Sequence, residues 1–588
     1  MNFYIAYLRT LFWKPQDAIV AMYWWCTGRK VRARNRLRMV ARQSPFAYPM
    51  WIATTEREAN EAVQADASVA GWQLRPRISI ILHLSDVPDG VVLARILASI
   101  SAQRYPDWEL VMVPGVDSEP VTDDYGGRLV TVTQRTDNPA DALTLGIGQA
   151  SGAYILALPG DFILPPSALF RYVEALQSAP DASVVYGDHD YIDARGQRFK
   201  PWFKPRWNAE MFFAQDYLSG ACIVRTDDAR RALPIVPGLA SAASYALLLA
   251  VTAAEGAQIL HIPHVQSHAL RVPERHDQAA QLEAVNAHLA DRGAAAKAGP
   301  FGTVTVAWPL PDELPLVSII VPTRDHAKLL NACVTSVLNA TDYRPFEVLI
   351  VDNGSVESET LSYLGRIAQH PQVRVLAYDH PYNYAAINNF AAIHARGAYL
   401  CLLNNDTEVL SGGWLTELMR QAVRPHIGAA GAKLLYGDGT IQHAGVVVGI
   451  GEAAGHAHRF QRDDDPGYFA RAHVAHYASA VTAACLVVSR AKFEAVGGLD
   501  EVSLQIAFND VDLCLKLEQA GWRNVYVPQA VLVHHESKSR GKDFAPEHME
   551  RYRRELAVLQ TRWDTRTYMD PLHHPYLDRS NESYMLRL

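Results

Sequence analysis

Three short segments of this 588-residue chain carry residue types from which chemistry could be built. In LLNNDTEV, Asn404, Asn405 and Asp406 follow an apolar run. Oxygen ligands on such a loop suit Mg2+ or Mn2+, which keep several waters and bridge substrate phosphates. Asp406 is the chief ligand expected, with Asn404 a weaker, neutral contributor. In FNDVDLCLKLEQAG, Asp510 and Asp512 open an amphipathic helix, and a carboxylate presented at a helix start is placed to act as a general base. In VDNGS, Asp352 ends another apolar run, where it can accept hydrogen bonds from a base or ribose while Gly354 permits close backbone approach. Farther on, VLVHHESKSRG offers His534 or His535 to complete a metal site or touch a diphosphate, and His535 is the expected ligand beside Asp406. Each segment also has an ordinary account. Asp, Asn and Gly favour turns, and acidic residues in a first helical turn are favoured by the helix dipole.

These segments belong to a unit that the chain contains twice. After Arg77 it reads ISIIL, an apolar-periodic helix and then YPDWELVMV; after Leu316 it reads VSIIVPTRD, a helix with Leu329, Val334, Val337 and Leu338, and YRPFEVLIVDNGS. Ser79 aligns with Ser318, Tyr105 with Tyr343 and Glu109 with Glu347, and SGAYILALPGDFIL aligns with RGAYLCLLNNDTEVL. Short apolar runs separated by helical periods predict an α/β fold, a doubly wound and mostly parallel sheet in each unit. Ligands of such sheets bind outside the carboxyl ends of the strands, where the acidic segments lie. The expected organisation is a helical segment over residues 1–70, a first unit over 71–292, an Ala/Gly/Pro-rich linker over 293–315, a second unit over 316–541 and a helix with a tail over 542–588.

The second unit resembles a family 2 glycosyltransferase of the GT-A fold. The motifs that carry the resemblance are VSIIVPTRD, VDNGS, LNNDTEV, GGLDE and FNDVDLCLKLEQAGWRNVYVP. Two tandem units closed by the HHES-SRG segment resemble bacterial enzymes of O-antigen and cell-surface polysaccharide assembly. The resemblance implies an inverting, single-displacement transfer from a nucleoside-diphosphate sugar to a glycan or lipid-linked glycan. Pro322, Thr323, Asp325 and Asp352 would then hold the nucleotide. Asn404, Asn405 and Asp406 stand at the DxD metal motif, with Asn for its first Asp, and Asp510 stands at the base position, with Asn509 for the preceding Glu. Asn383 and Asn388 of HPYNYAAINNF would line the donor site or cap a helix. His443 and His456 flank a polar stretch that would form an acceptor lid or a solvated loop, and Trp414 would stack on sugar or lie in the core.

The first unit lacks these groups. Pro114 and Gly115 stand opposite Asp352 and Asn353, Pro159 opposite Asn404, and Ala243 and Ser244 opposite Asn509 and Asp510, although Asp161 still matches Asp406. The first unit is therefore expected to be catalytically inactive. The same alignment makes the uncharged 232–254 stretch an acid-free version of the base-bearing helix rather than a membrane span.

A net charge of −7 argues against a nucleic-acid partner. The six cysteines form no CxxC pair, which fits a reducing compartment and cytoplasmic location. Residues 1–42 combine Phe12, Trp13, Trp24 and Trp25 with Lys30 and several arginines, a pattern suited either to the anionic cytoplasmic face of the inner membrane or to a solvated helix packed on the first unit. Rival readings are a processive polysaccharide synthase, which would show membrane spans and QxxRW, a nucleotidyltransferase, which would show a Gly-rich phosphate loop, and a catalytically inactive glycan-binding or scaffold protein.

Overall fold

The computed structural model describes residues 3–57, 69–118, 125–235, 239–272, 277–535 and 548–588. Two α/β units follow a helical N-terminal segment of Phe3–Trp13, Pro15–Cys26 and Lys30–Gln43. In the second unit the sheet runs, edge to edge, Val373–Ala377, Phe346–Asp352, Val317–Thr323, Tyr399–Leu403, Cys485–Ser489, Ile427–Leu435, Arg523–His534 and Thr407–Val409. In the first unit the order is Leu129–Thr131, Trp108–Val113, Ile78–His83, Tyr154–Ala157, Cys222–Arg225, Val184–Ile192, Ile259–Ala269 and Phe162–Ile163. The two paths match strand for strand, so the repeat read in the sequence is a repeat of topology.

The first four strands of each path are parallel, and the fifth runs against its neighbours. The parallel strands are continuous apolar runs because both faces are covered. Ile319 and Val321 point into one core layer and Ile320 into the other, as a period of two demands.

A buried pin is common to both units. Ser318 Oγ donates to Glu347 Oε1 at 2.7 Å, the Arg396 N–H donates to the same oxygen at 2.8 Å, and the Gly397 N–H donates to Ser318 Oγ at 2.9 Å. Ser79, Glu109, Ser151 and Gly152 repeat it at 2.5, 2.7 and 2.9 Å. A Cβ on Gly397 would fall 2.6 Å from Ser318 N, so only glycine lets the strand start so close to its neighbour.

The expected linker is ordered. Ala295–Ala298 and Val304–Ala307 pair as a hairpin, and Trp308 is buried on the first unit beneath the Arg424 guanidinium at 3.8 Å. Arg424 also pairs with buried Glu210 at 2.7 Å, and Trp202 stacks on Phe469 at 4.4 Å, so the units share a packed interface. The tail joins it: Leu577 and Tyr584 share a core with Tyr48, Trp51, Phe203 and Val447. The helix Met549–Trp563 packs on the second unit through Arg562 and Trp563, both on Asp512, at 2.7 and 2.9 Å. Asp512, read from sequence as half of an acidic pair, is thus a buried anchor for that helix.

Burial with the nearby Arg471 guanidinium pushes His458 and His476 down to about 3 and His573 to about 4. These rings are neutral when folded, whereas the unfolded chain takes protons as pH falls through about 6.5. Their contribution is complete above that pH and is lost as pH falls towards 4, at up to about 1.4 kcal/mol per group per pH unit. Urea midpoints should therefore drop steeply between pH 6.5 and 5, and His458→Gln should flatten the slope. Equal slopes for both proteins would contradict this account.

Candidate functional site

The second sheet opens at its carboxyl edge into a cleft of about 960 Å3. Pro322, Thr323, Asp325, Asn404, Asn405 and Asp406 line one side, and Asn509 and Asp510 line another together with His456. Two strand ends and a helix start therefore converge.

Asp406 sits in the tight connection between Tyr399–Leu403 and the short strand Thr407–Val409. That strand pairs antiparallel with the end of Arg523–His534, Thr407 opposite His534. The pairing brings His534 Nε2 to 3.1 Å from Asp406 Oδ1. His534 Nδ1 lies 2.7 Å from Gln442 Oε1, an atom that only accepts, so Nδ1 donates to it and the ring is oriented with Nε2 towards Asp406. Asn404 Nδ2 lies 3.2 Å from the same Nε2, and Tyr384 Oη lies 3.1 Å from Ala483 O and 3.2 Å from Asn404 Oδ1. A carboxylate and an imidazole nitrogen held this way fit a divalent cation, with Gln442 orienting the imidazole from behind. His535, the ligand expected from sequence, points elsewhere: its Nε2 pairs with Glu408 at 2.9 Å. Successive strand residues face opposite ways, so only one of the two histidines can face Asp406.

Asp510 lies in the first turn of Asn509–Gln519. Its Oδ2 accepts the Ala483 N–H at 3.1 Å and its Oδ1 the Val511 N–H at 2.9 Å, which aim the carboxylate along the cleft wall. The residue before this helix, Phe508, has a φ of +62°, a strained value for an aromatic residue, so the turn must be held from outside. Glu555 holds it, accepting the Ile506 and Ala507 N–H groups at 3.3 and 2.9 Å, while Asn509 Nδ2 donates to Ile506 O at 2.8 Å.

At the other end Asn405 Nδ2 donates to Thr323 Oγ1 at 3.0 Å. Asp325 accepts the Val356 and Glu357 N–H groups at 2.8 and 2.9 Å; the Glu357 N–H above all holds its carboxyl below the usual range. Asp352 stands outside the cleft wall, its Oδ1 taking the Ser355 N–H and hydroxyl at 3.0 and 2.6 Å.

Of four further residues, three take the structural alternative and His443 takes neither of the two given for it. Asn383 caps its helix, accepting the Ala386 N–H at 3.0 Å, and Asn388 is buried with Nδ2 on Tyr384 O at 2.8 Å; Tyr382 and Tyr384 of the same motif reach the cleft instead. Trp414 lies in the core with Nε1 on Thr341 Oγ1 at 2.9 Å. His443 is wholly buried behind the wall, where its Nε2 accepts the Thr482 N–H at 3.3 Å and burial drives its pKa well down. Tyr552 and Glu582, which also line the cleft, come from the C-terminal helix and tail and carried no motif.

The model of glycosyl transferase family 2 matches residues 90–229 and 318–448. A protein of Sinorhizobium fredii (strain NBRC 101917 / NGR234), "Uncharacterized protein y4gI", is 36% identical over 94% of this chain and 67% of its own. The chain belongs to glycosyl transferase family 2. The O-antigen biosynthesis protein RfbC of Myxococcus xanthus is 35% identical over 85% of this chain, which spans only 40% of that relative's length. The N-acetylglucosaminyl-diphospho-decaprenol L-rhamnosyltransferase of Mycobacterium tuberculosis (strain ATCC 25618 / H37Rv) is 28% identical over 40% of this chain and 79% of its own. Among solved structures, the mannosyltransferase PcManGT of Pyrobaculum calidifontis superposes with a TM-score of 0.33 at 20% identity, over 45% of this chain and 69% of that one.

Both family 2 units have the GT-A type of α/β fold, but their site edges differ. The Leu270 N–H donates to Asp161 O at 2.8 Å as the His535 N–H donates to Asp406 O at 2.9 Å, so Ala269 holds the place of His534. Arg271 Nε then pairs with Asp161 at 2.9 Å, putting a fixed guanidinium on the carboxylate that matches Asp406. Among the described residues Asp188, His261 and His574 also converge, with ligand atoms within 4.8 Å of one another. His574 Nδ1 accepts the Tyr576 N–H at 3.1 Å, so Nε2 carries the proton and faces Asp188 at 2.9 Å. A protonated nitrogen offers no lone pair to a metal, and the trio is a buried pin for the tail. Burial alone would raise Asp188; His574 and His261 hold it below the usual carboxylate range.

Placing Trp414 in the core has a measurable consequence. Trp414→Ala should destabilise the protein by about 3–5 kcal/mol, seen as a lowered melting temperature, with turnover per folded molecule unchanged. A selective rise in acceptor KM without loss of stability would restore the sugar-stacking role.

Proposed function

We propose that the second unit is an inverting, metal-dependent glycosyltransferase that moves a sugar from a nucleoside diphosphate to a glycan or lipid-linked glycan of surface polysaccharide or O-antigen assembly. The observation that carries this reading is the Asp406 carboxylate set 3.1 Å from His534 Nε2 at the rim of a cleft that Asp510 also lines. The printed names of the M. xanthus and M. tuberculosis relatives support the class of acceptor.

In this reading Pro322, Thr323, Asp325 and Asn405 shape the nucleotide end, with Asp352 supporting them from behind through Thr323, its partner in the sheet. Asp406 and His534 would hold Mg2+ or Mn2+, which offsets charge on the departing diphosphate. Asp510 takes the proton of the acceptor hydroxyl as its oxygen bonds to the anomeric carbon, and the bond to the nucleoside diphosphate breaks with its electron pair. The first unit supports rather than catalyses, because Arg271, Ala269 and Ser244 replace a cation site, its imidazole and the base. A scaffold protein without activity would not need a tautomer-fixed imidazole facing an acid.

The test is nucleoside-diphosphate release from UDP-, GDP- and dTDP-sugars with Mn2+ or Mg2+. Asp510→Asn should lower transfer about 10^2- to 10^4-fold. Gln442→Ala should weaken Mn2+ activation about 10- to 100-fold. His534→Ala should weaken it further, with His535→Ala and Asp161→Ala near wild type. No release with any donor, or full activity in Asp510→Asn, would sink the mechanism.

The N-terminal helices supply a surface for anionic lipid. Phe12, Ile19, Met22, Tyr23 and Trp25 are exposed beside the helix Lys30–Gln43, which carries Lys30, Arg32, Arg34 and Arg38. Among the described residues no helix is long and apolar enough to cross a membrane. Vesicles of phosphatidylcholine with phosphatidylglycerol should sediment the protein, those of phosphatidylcholine alone should not, and salt or Phe12→Ser with Trp25→Ser should release it. Equal sedimentation with both vesicle types would rule the surface out.

A further inference from the structure

Phe460 lines the cleft and is 65% exposed, although the hydrophobic effect favours burying so large an apolar ring. Its backbone φ is +64°, a region that costs an aromatic residue energy. Two hydrogen bonds hold it there, the Phe460 N–H to Ile441 O and the Ile441 N–H to Gln461 O, both 2.8 Å. An exposed ring kept in a strained conformation, and pinned to a strand beside Gln442, points to use.

The ring is also oriented. Tyr436 stacks on it at 5.3 Å with planes 6° apart, and the Arg459 guanidinium lies 4.9 Å from it. Arg459 is 5.8 Å from the Tyr436 ring and donates from Nε to Tyr436 Oη at 2.6 Å. The three separations place Arg459 and Tyr436 against each other as well as against Phe460, which stays largely exposed. His456 and Asp510 line the same cleft, and the Glu582 carboxylate accepts the His456 N–H at 3.0 Å.

An exposed aromatic ring with a cation at its margin, in a cleft that a carboxylate also lines, has the chemistry of a pyranose site. The electron-rich ring face attracts the polarised C–H face of a sugar, and the margin takes its hydroxyls. We propose that Phe460 is the stacking platform for a pyranose ring of the acceptor, so that the acceptor is recognised as a sugar and not only through a lipid diphosphate. This rests on the glycosyltransferase reading above and narrows its acceptor.

The experiment is saturation-transfer NMR of the full chain with a panel of methyl hexopyranosides and methyl 6-deoxyhexopyranosides, alongside nucleotide binding and donor hydrolysis. Wild type should bind at least one glycoside with saturation strongest on one ring face. Phe460→Ala should raise its Kd about 5- to 10-fold, Phe460→Trp should retain binding, and nucleotide Kd and melting temperature should stay unchanged. Glycoside binding undiminished in Phe460→Ala, no binding of any panel member by wild type, or a matching loss of nucleotide affinity would each overturn the platform. Loss of donor hydrolysis and nucleotide binding in wild type would instead overturn the underlying reading.

Discussion

The candidate site depends on one short antiparallel pairing. Three residues, Thr407–Val409, lie against the end of Arg523–His534 and bring together Asn404 and His534, which are 130 positions apart in the chain. Without this pairing the acidic loop is a turn and the histidine a surface residue. With it, a carboxylate oxygen and a ring nitrogen stand 3.1 Å apart at the rim of the cleft. The first unit retains the pairing, Phe162 against Ala269, and lacks the chemistry. The pairing is therefore a property of the fold, and function is a matter of which side chains it carries.

The same separation explains how much was legible in the sequence. The repeat and the strand ends follow from local pattern, because strand period and burial act on neighbouring residues. The choice between His534 and His535 does not. It turns on which face of a strand meets Asp406, and that is fixed by register with a segment far upstream. Asn383, Asn388 and Trp414 failed for a related reason: a cap, a buried amide and a core indole have the composition of binding residues and differ only in where they point. Tyr552 and Glu582 were invisible because they arrive from outside the repeated unit.

The C-terminal helix and tail complete the second unit. Glu555 holds the Ile506–Ala507 turn, Arg562 and Trp563 hold Asp512, and Glu582 holds the strand at His456. Asp510 lies between the first two of these supports, at the start of a helix entered through a left-handed Phe508. A strained entry persists only where its surroundings over-determine it. Here they belong to Met549–Trp563, which follows the last long strand of its unit as Gln278–Leu289 does in the first unit, where that helix packs on Ala243–Thr252.

That arrangement also gives the first unit a physical role. The tail is pinned to it through His574 on Asp188 and through the shared core of Tyr48, Phe203 and Leu577, while Arg424 on Glu210 ties the second unit to the same body. The first unit's Ser79–Glu109 pin matches that of the second unit, while Pro114 follows a strand and Ala243 and Ser244 open a helix without presenting an acid. A domain that anchors the tail steadies Glu582 and the wall that carries Phe460, and so bears on the acceptor side of a cleft it does not line.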